Sequence, residues 1–382
     1  MFVRLQKFIG RGRESAFLWG ARQTGKSTLL KAIFPNSPYY DLLLSDEFAR
    51  LSRAPSLLRE EILGRPPARG CPVIIDEVQK IPSLLDEIQW LIVNKKISFI
   101  LCGSSARKLK RAGANLLGGR ALRYELYPLV SAEITDFNLL RGLNHGFLPR
   151  HYLAADPCKL IESYVGDYLK EEIAAEALTR SVPAFARFLE SAAFSNGEIV
   201  NYRNIAAECG VSAPTVKEYF QILEDTLLAR FLPVYQKRPK RRVIQSPKFY
   251  FFDVAVANYL LKRSVIRPGS EAFGKAFEHF IFQELWAHSR YRGRNYPLAY
   301  WRTASQLEVD FILGDHEIAV EVKGSEISGE HQLKGLRAFA GEYKTAKSVV
   351  VSLDKRPRLV GGVQILPWDI FLNELWAGKI IK

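Results

Sequence analysis

Gly20-Ala-Arg-Gln-Thr-Gly-Lys-Ser27 decides how this chain is read. The octapeptide fits Gly-x-x-x-x-Gly-Lys-Ser/Thr, the loop whose backbone N–H groups turn toward phosphates. Ahead of it Ala16-Phe-Leu-Trp19 is apolar enough for a buried strand, and Ser27-Thr-Leu-Leu-Lys-Ala-Ile33 has helical spacing. The helix N-terminus adds partial positive charge beneath the loop. Lys26 is therefore expected to reach the β- and γ-phosphates of ATP, and the Ser27 hydroxyl to hold Mg²⁺. The nucleotide-contacting set is Gly20, Ala21, Arg22, Gln23, Thr24, Gly25, Lys26, Ser27 and Thr28.

The alternation of strand-like and helix-like segments around this loop predicts a parallel α/β sheet. Tyr39–Leu43 reads as the second strand and Arg50 to Leu63 as one helical stretch ended by Pro66-Pro67. Val73-Ile-Ile-Asp-Glu77 reads as a strand buried on both faces with two acids at its C-terminal end, where open α/β sheets bind ligands. Asp76 is read as the Walker B carboxylate of the Mg²⁺ shell and Glu77 as the base that orients water. A helix capped by Ser83 follows, with Leu84, Leu85, Ile88, Leu91 and Ile92 on its buried side. The strand Ser98–Cys102 ends in Gly103-Ser104-Ser105, which places Ser104 within reach of the γ-phosphate or the water. Arg120, after Gly118-Gly119, is either a transition-state arginine supplied in an assembly or a solvated or DNA-facing side chain.

The order of these motifs, with Tyr124-Glu-Leu-Tyr-Pro-Leu129 after Arg120, resembles the prokaryotic AAA+ ATPases that carry an uncharacterised C-terminal domain. That resemblance implies one strand inserted between the phosphate-loop and Walker B strands, Ser104 as polar sensor and Arg120 as arginine finger. Cys102 stands where such proteins commonly have Thr.

Bulk properties narrow the setting. At 382 residues, 48% hydrophobic and 25% charged, the chain has an ordinary globular composition and room for several domains. No apolar run reaches a membrane span, and the N-terminus lacks a signal-peptide core, so a cytoplasmic location without membrane association is expected. Cys71, Cys102, Cys158 and Cys209 form no Cys-x-x-Cys pair, which argues against zinc and a disulfide framework. A formal net charge of +14 draws such a protein toward polyanions.

A boundary or loop is placed at Gly142–Pro157, with His145 and His151 on its surface, and helical pattern resumes from Leu160 to Leu178. Tyr202 to Leu223 has the spacing of a helix-turn-helix: Ile205 and Ala206 buried, Gly210 at the turn, Ser212 capping the second helix and Pro214 in its first turn. The strands Leu227–Tyr235 and Lys248–Phe252, joined by Gln236-Lys-Arg-Pro-Lys-Arg-Arg-Val243, complete a winged-helix layout. Thr215 and Lys217 face a major groove in that reading, and Lys237, Arg238, Lys240, Arg241 and Arg242 grip phosphates. The same layout also serves protein–protein contacts.

The C-terminal stretch carries a second acidic constellation. The helical segment Ala272–Leu285 holds Glu278, and Ser305–Leu313 and Glu317–Lys323 alternate as two strands of a hairpin turned at Gly314-Asp315. Period two puts Glu308 and Asp310 on one face and Glu321 and Lys323 on one face. Carboxylates from Glu278, Asp310 and Glu321 can hold Mg²⁺ and activate water against a phosphodiester, with Lys323 positioning or deprotonating the nucleophile or steadying charge. The constellation resembles the PD-(D/E)xK nuclease fold, with Asp310, Glu321-Val-Lys323 and helical Glu278 at the matching positions and Asp310 and Glu321 as metal ligands.

Four segments are thus expected: an AAA+ P-loop core over residues 1–142, a helical lid over 143–184, a winged helix-turn-helix over 185–253, and a restriction-endonuclease-type α/β domain over 254–382. Three readings of function stand. The chain is an ATP-dependent DNA-processing enzyme, an ATPase switch that binds DNA or a protein partner without cutting, or a signalling ATPase with interaction modules. Arg120 brings in a homo-oligomer.

Overall fold

A computed structural model describes residues 2–381 apart from 106, 108, 110–116, 173–181, 237–245, 264 and 328. The chain gathers into two units, Arg4–Pro128 with Ile222–Leu228, and Met1–Val3 with Leu129–Gln221 and Ala229–Lys382.

The first unit is built on five parallel strands, β1 (Ala16–Trp19), β2 (Tyr39–Asp41), β3 (Val73–Asp76), β4 (Phe99–Gly103) and β5 (Leu122–Glu125), in the order β2-β3-β4-β1-β5. β4 thus lies between the phosphate-loop strand and the Walker B strand, as the family resemblance implies. Every residue of β1, β3 and β4 is buried, which is why these strands read as unbroken apolar runs, whereas the edge strands β2 and β5 are half-buried or exposed. Register places Asp76 beside Cys102 of β4 and Asp41 of β2, so the sheet's C-terminal edge collects the polar residues.

The helices α1 (Lys26–Ile33), α2 (Ser45–Arg53), α3 (Ser56–Gly64) and α4 (Leu84–Lys95) connect these strands. The stretch Arg50 to Leu63 is two helices, not one. Ala54, held extended at φ −140° ahead of Pro55, breaks it, because the proline ring crowds a helical residue before it. α4 buries Leu84, Leu85, Ile88 and Leu91 as its spacing predicts, each contributing roughly 2 kcal/mol of apolar burial. Ser83 is already helical and makes no side-chain cap.

The second unit holds a six-stranded sheet of β8 (Leu298–Arg302), β9 (Glu308–Leu313), β10 (Ile318–Val322), β11 (Lys347–Ser352), β12 (Arg358–Val360) and β13 (Val363–Pro367), in the order β12-β13-β11-β10-β9-β8. β8, β9 and β10 run antiparallel, and β10, β11 and β13 parallel. Period two separates its faces. Val320, Val349 and Val351 pack with Phe273, Phe277 and Phe280 of the helix Glu271–Tyr291, while Ala319, Val350 and Ile365 pack with Leu336 and Phe339 of the helix Lys334–Glu342.

The same unit contains the helices Tyr202–Cys209 and Ala213–Asp225 and the antiparallel pair β6 (Ala229–Leu232) and β7 (Lys248–Phe251), in the order the helix-turn-helix spacing predicts. Gly210 sits at φ 66°, a left-handed turn that a side chain would strain, and the Ser212 hydroxyl accepts the Thr215 N–H at 3.2 Å. From Ile222 onward the second of these helices groups with the first unit.

The Gly142–Pro157 stretch departs from the loop expected there. Pro149 starts a helix, Pro149–Leu153, and turns His151 inward, edge-on to Tyr164 at 5.8 Å. His151 is buried, not a surface residue, and burial pushes its pKa down to about 4. Among the described residues no helix is long and apolar enough to cross a membrane.

Candidate functional site

The phosphate loop leaves β1 at Gly20, where a Cβ would approach the Leu126 carbonyl oxygen to 2.5 Å, so only glycine lets β1 and the chain after β5 lie this close. Gln23 and Gly25 take left-handed φ of 64° and 92°, which folds the backbone into the cup ahead of α1. Lys26 is buried with its Nζ donating to the carbonyls of Gly20 at 2.7 Å and Ala21 at 3.1 Å. An ammonium bonded only to neutral carbonyls is poised for a phosphate, a stronger charged acceptor. Arg4, a residue the sequence reading passed over, donates to the Thr24 carbonyl at 2.7 Å and the Tyr127 carbonyl at 2.6 Å and braces the loop from behind.

Asp76 is the hub opposite the loop. Its Oδ2 accepts the Ser27 hydroxyl at 2.6 Å and the Tyr39 hydroxyl, and its Oδ1 accepts the Glu77 N–H at 3.0 Å. Ser27 and Asp76, 49 positions apart, thus present hard oxygen donors to one point and can hold Mg²⁺. Tyr39 is the partner the sequence missed. Burial, then its bond to Asp76, raises its pKa far above the ordinary phenol, so it stays a donor.

Glu77 follows in a left-handed conformation at φ 58°, which swings its side chain away from the strand direction. Gln79 holds it there, its Nε2 donating both to Glu77 Oε2 and to Ser104 Oγ, the latter at 3.2 Å. Gln79 Oε1 is buried without a hydrogen-bond partner, an orphaned acceptor. A Cβ at Gly103 would strike this oxygen, so the small residue ahead of Ser104 makes room for Gln79. Cys102 lies buried beside Asp76, and burial first, then the Asp76 charge, raises its thiol pKa well above normal, which leaves it a neutral packing residue.

Beyond Ser104, the Ser105 hydroxyl donates to the Asp225 carbonyl at 3.2 Å and Arg107 pairs with the Asp225 carboxylate at 2.7 Å. Arg22 is half-buried, Thr28 and Arg120 are exposed, and Arg120 takes no part in the Asp76 network. Thr215 is half-buried with its hydroxyl 2.8 Å from that of Ser212, and Lys217 is exposed, 5.4 Å over the Tyr202 ring. Lys237, Arg238, Lys240, Arg241 and Arg242 lie outside the described residues.

The C-terminal acids also converge, but around lysines. Glu278 comes from the helix Glu271–Tyr291, Glu308 and Asp310 from β9, and Glu321 from β10. Between them lies Lys248 of β7, whose buried Nζ is 2.6 Å from Glu308, 3.3 Å from Glu278 and 3.9 Å from Asp310. Tyr250, two residues on and so on the same face, donates to Glu278 at 2.6 Å. Lys323 binds Glu321 Oε1 at 2.6 Å, Asp310 Oδ2 accepts the Val322 N–H at 2.8 Å, and Arg302 pairs with Glu308 at 3.3 Å. Burial lowers the Lys248 pKa, but Glu278, Tyr250, Asp310 and Glu308 more than reverse this and keep it charged. Burial, then Glu321 and Glu278, raises the Asp310 pKa.

Among the described residues, no group of three or more His, Cys, Asp or Glu side chains is disposed to hold a metal ion. Asp310 and Glu321, the two carboxylates expected to hold Mg²⁺, lie on the neighbouring strands β9 and β10, with Lys248 3.9 Å from the first and Lys323 2.6 Å from the second. The convergence was legible from period two. What the sequence did not reveal is that Lys248, in an aromatic strand 62 positions before Asp310, supplies the central cation.

A parallel sheet, a glycine-rich loop ahead of a helix, and a buried aspartate meeting the loop serine define a P-loop ATPase. Residues 12–135 match the AAA domain, which supports ATP binding and hydrolysis by this P-loop segment. Residues 137–266 and 273–371 match two domains of unknown function, DUF8612 and DUF4143. Uncharacterized proteins of Mycobacterium bovis and Mycobacterium tuberculosis are each 25% identical over 367 residues, covering 94% of this chain and 76% of theirs. Similar solved structures include a Walker-type ATPase of Pyrococcus abyssi (15% identity, 64% of this chain and 90% of that one, TM-score 0.40). The Orc1 protein of Aeropyrum pernix in complex with DNA is also similar (13%, 65% and 86%, 0.24).

Proposed function

We propose that the chain is a Mg²⁺-dependent ATPase switch that binds DNA through its helix-turn-helix, and that its nuclease-like C-terminal site binds without cutting in the resting state. The observation that carries the ATPase part is the meeting of Ser27, Tyr39 and Asp76 at one carboxylate, with Glu77 held by Gln79 beside Ser104. In this reading Lys26 leaves its carbonyls for the γ-phosphate, Ser27 and Asp76 hold Mg²⁺, and Glu77 orients water. Arg120 acts from one copy on the nucleotide of another. DNA as the partner is supported by the net charge of +14 and by Lys217, exposed on the second helix of the pair.

Cleavage is the second reading, favoured by Glu278 and Asp310 meeting at Lys248 and by the Glu321–Lys323 pair on the strand next to Asp310. The test is Mg²⁺-dependent ATP turnover and plasmid cleavage by the wild type, Lys26→Ala and Asp310→Ala. The proposal expects turnover lost in Lys26→Ala and no cutting by any protein. Cutting that disappears in Asp310→Ala would establish the second reading in its place.

A further inference from the structure

The residues that the nuclease resemblance assigns to a metal already lie against the chain's own cations. Each carboxylate of the cluster has a built-in partner: Lys248 for Glu308, Glu278 and Asp310, Lys323 for Glu321, and Arg302 for Glu308. Glu321 Oε2 is buried without a hydrogen-bond partner and is the acid oxygen left over. Magnesium requires near-ideal octahedral oxygens at about 2.1 Å, and a buried ammonium among the acids takes up their oxygens and offsets much of the negative charge it needs.

The position of Lys248 is built rather than accidental. Its strand β7 pairs with β6 in fixed register, Lys248 opposite Leu232, and its side chain is 4% exposed. The Tyr300 ring lies 5.7 Å from its Nζ, a further contact that favours a cation there. A surface lysine samples many rotamers; one enclosed by an aromatic ring and three carboxylates has little freedom to leave.

We propose that the Lys248 ammonium occupies the cation position of this carboxylate cluster and excludes divalent metal from it in the resting chain. The residue thus separates the nuclease-like architecture from metal-dependent chemistry, and its removal uncovers a latent divalent-cation site formed by Glu278, Asp310 and Glu321. This rests on the reading of the C-terminal unit as a binding module, but its test is independent of ATP and DNA.

The experiment is a titration of the nucleotide-free full chain with Mn²⁺, followed by the electron paramagnetic resonance of the free ion. Wild type and Asp310→Asn should give superimposable isotherms. Lys248→Met should take up about one further Mn²⁺ per chain, lost again in Lys248→Met combined with Asp310→Asn. Lys248→Gln serves where Lys248→Met does not fold, and the comparison of wild type with Asp310→Asn stands without either. One more Mn²⁺ in wild type than in Asp310→Asn overturns the proposal, as does a folded Lys248 variant that gains none. Extra Mn²⁺ uptake by wild type with DNA binding intact would sink this inference alone; loss of DNA binding with these isotherms as expected would sink only the functional reading.

Discussion

Replacing Glu284 by Gln should remove a pH dependence of folding that the wild type carries between about pH 5 and pH 8. Glu284 sits fully buried on the helix Glu271–Tyr291, where its carboxylate accepts the Ser131 N–H at 2.6 Å, the Ser131 hydroxyl at 3.0 Å and the Trp376 indole N–H at 2.6 Å. Burial raises its pKa from 4.5 to about 7, and the three donors only partly oppose this. A carboxyl raised on folding contributes stability that is fully present below about 4.5 and is lost as pH climbs through about 7. At 1.36 kcal/mol per unit the full effect is about 3 kcal/mol, of which roughly 2.5 falls between about pH 5 and pH 8. Gln keeps the shape but cannot accept from all three donors, so the variant is expected to lose a constant 1–3 kcal/mol or so at every pH. Urea unfolding followed by tryptophan fluorescence across this range reads the difference between the two proteins. A wild-type-minus-variant difference that stays flat with pH would refute the buried-carboxyl reasoning.

Further outcomes follow from the same contacts. His279 donates from Nε2 to the Phe251 carbonyl at 2.6 Å while its Nδ1 faces the Asn196 amide at 3.2 Å, whose Oδ1 is taken by the Phe251 N–H. The ring is therefore held neutral, and burial sets its pKa at about 4, so its contribution is present above 6.5 and lost as pH falls through about 4. This slope opposes that of Glu284, and His279→Gln should flatten the acid limb in the same unfolding assay. Tyr39→Phe leaves Asp76 one donor short and should lower ATP turnover about 10- to 100-fold with nucleotide affinity nearly kept, by steady-state kinetics. Gln79→Leu frees Glu77 and Ser104 and should cut turnover while fluorescent nucleotide still binds; unchanged turnover would remove Gln79 from the site.

How much of this was legible in the sequence depends on how local each signal is. Gly20 to Ser27 and Val73 to Glu77 carry their meaning within a few residues, and the strand order and the Ser27–Asp76 meeting agree with them. The hairpin Glu308–Val322 was equally legible from its alternation and the Gly314-Asp315 turn, but the irregular pairing of β9 with β8 between Val309 and Ile312, beside Asp310, was not. Tyr39 and Lys248 were hidden because each sits in a strand that reads as aromatic core, and only pairing across 37 or 30 positions shows what its polar end reaches. His151 was misread for the complementary reason: a short helix begun by Pro149 has too few residues for periodicity to reveal its buried side.

In the ATPase switch we propose, the nucleotide at the Asp76–Glu77 site governs DNA binding. Fluorescence anisotropy of labelled duplex DNA with wild type, Glu77→Gln and Lys26→Ala, each with ATP and with ADP, tests it directly. Glu77→Gln, expected to hold ATP uncleaved, should differ in affinity between ATP and ADP by about fivefold or more, a coupling of about 1 kcal/mol. Lys26→Ala should show no nucleotide dependence. Equal affinities for every protein in every nucleotide state, or no binding at all, would contradict the claim.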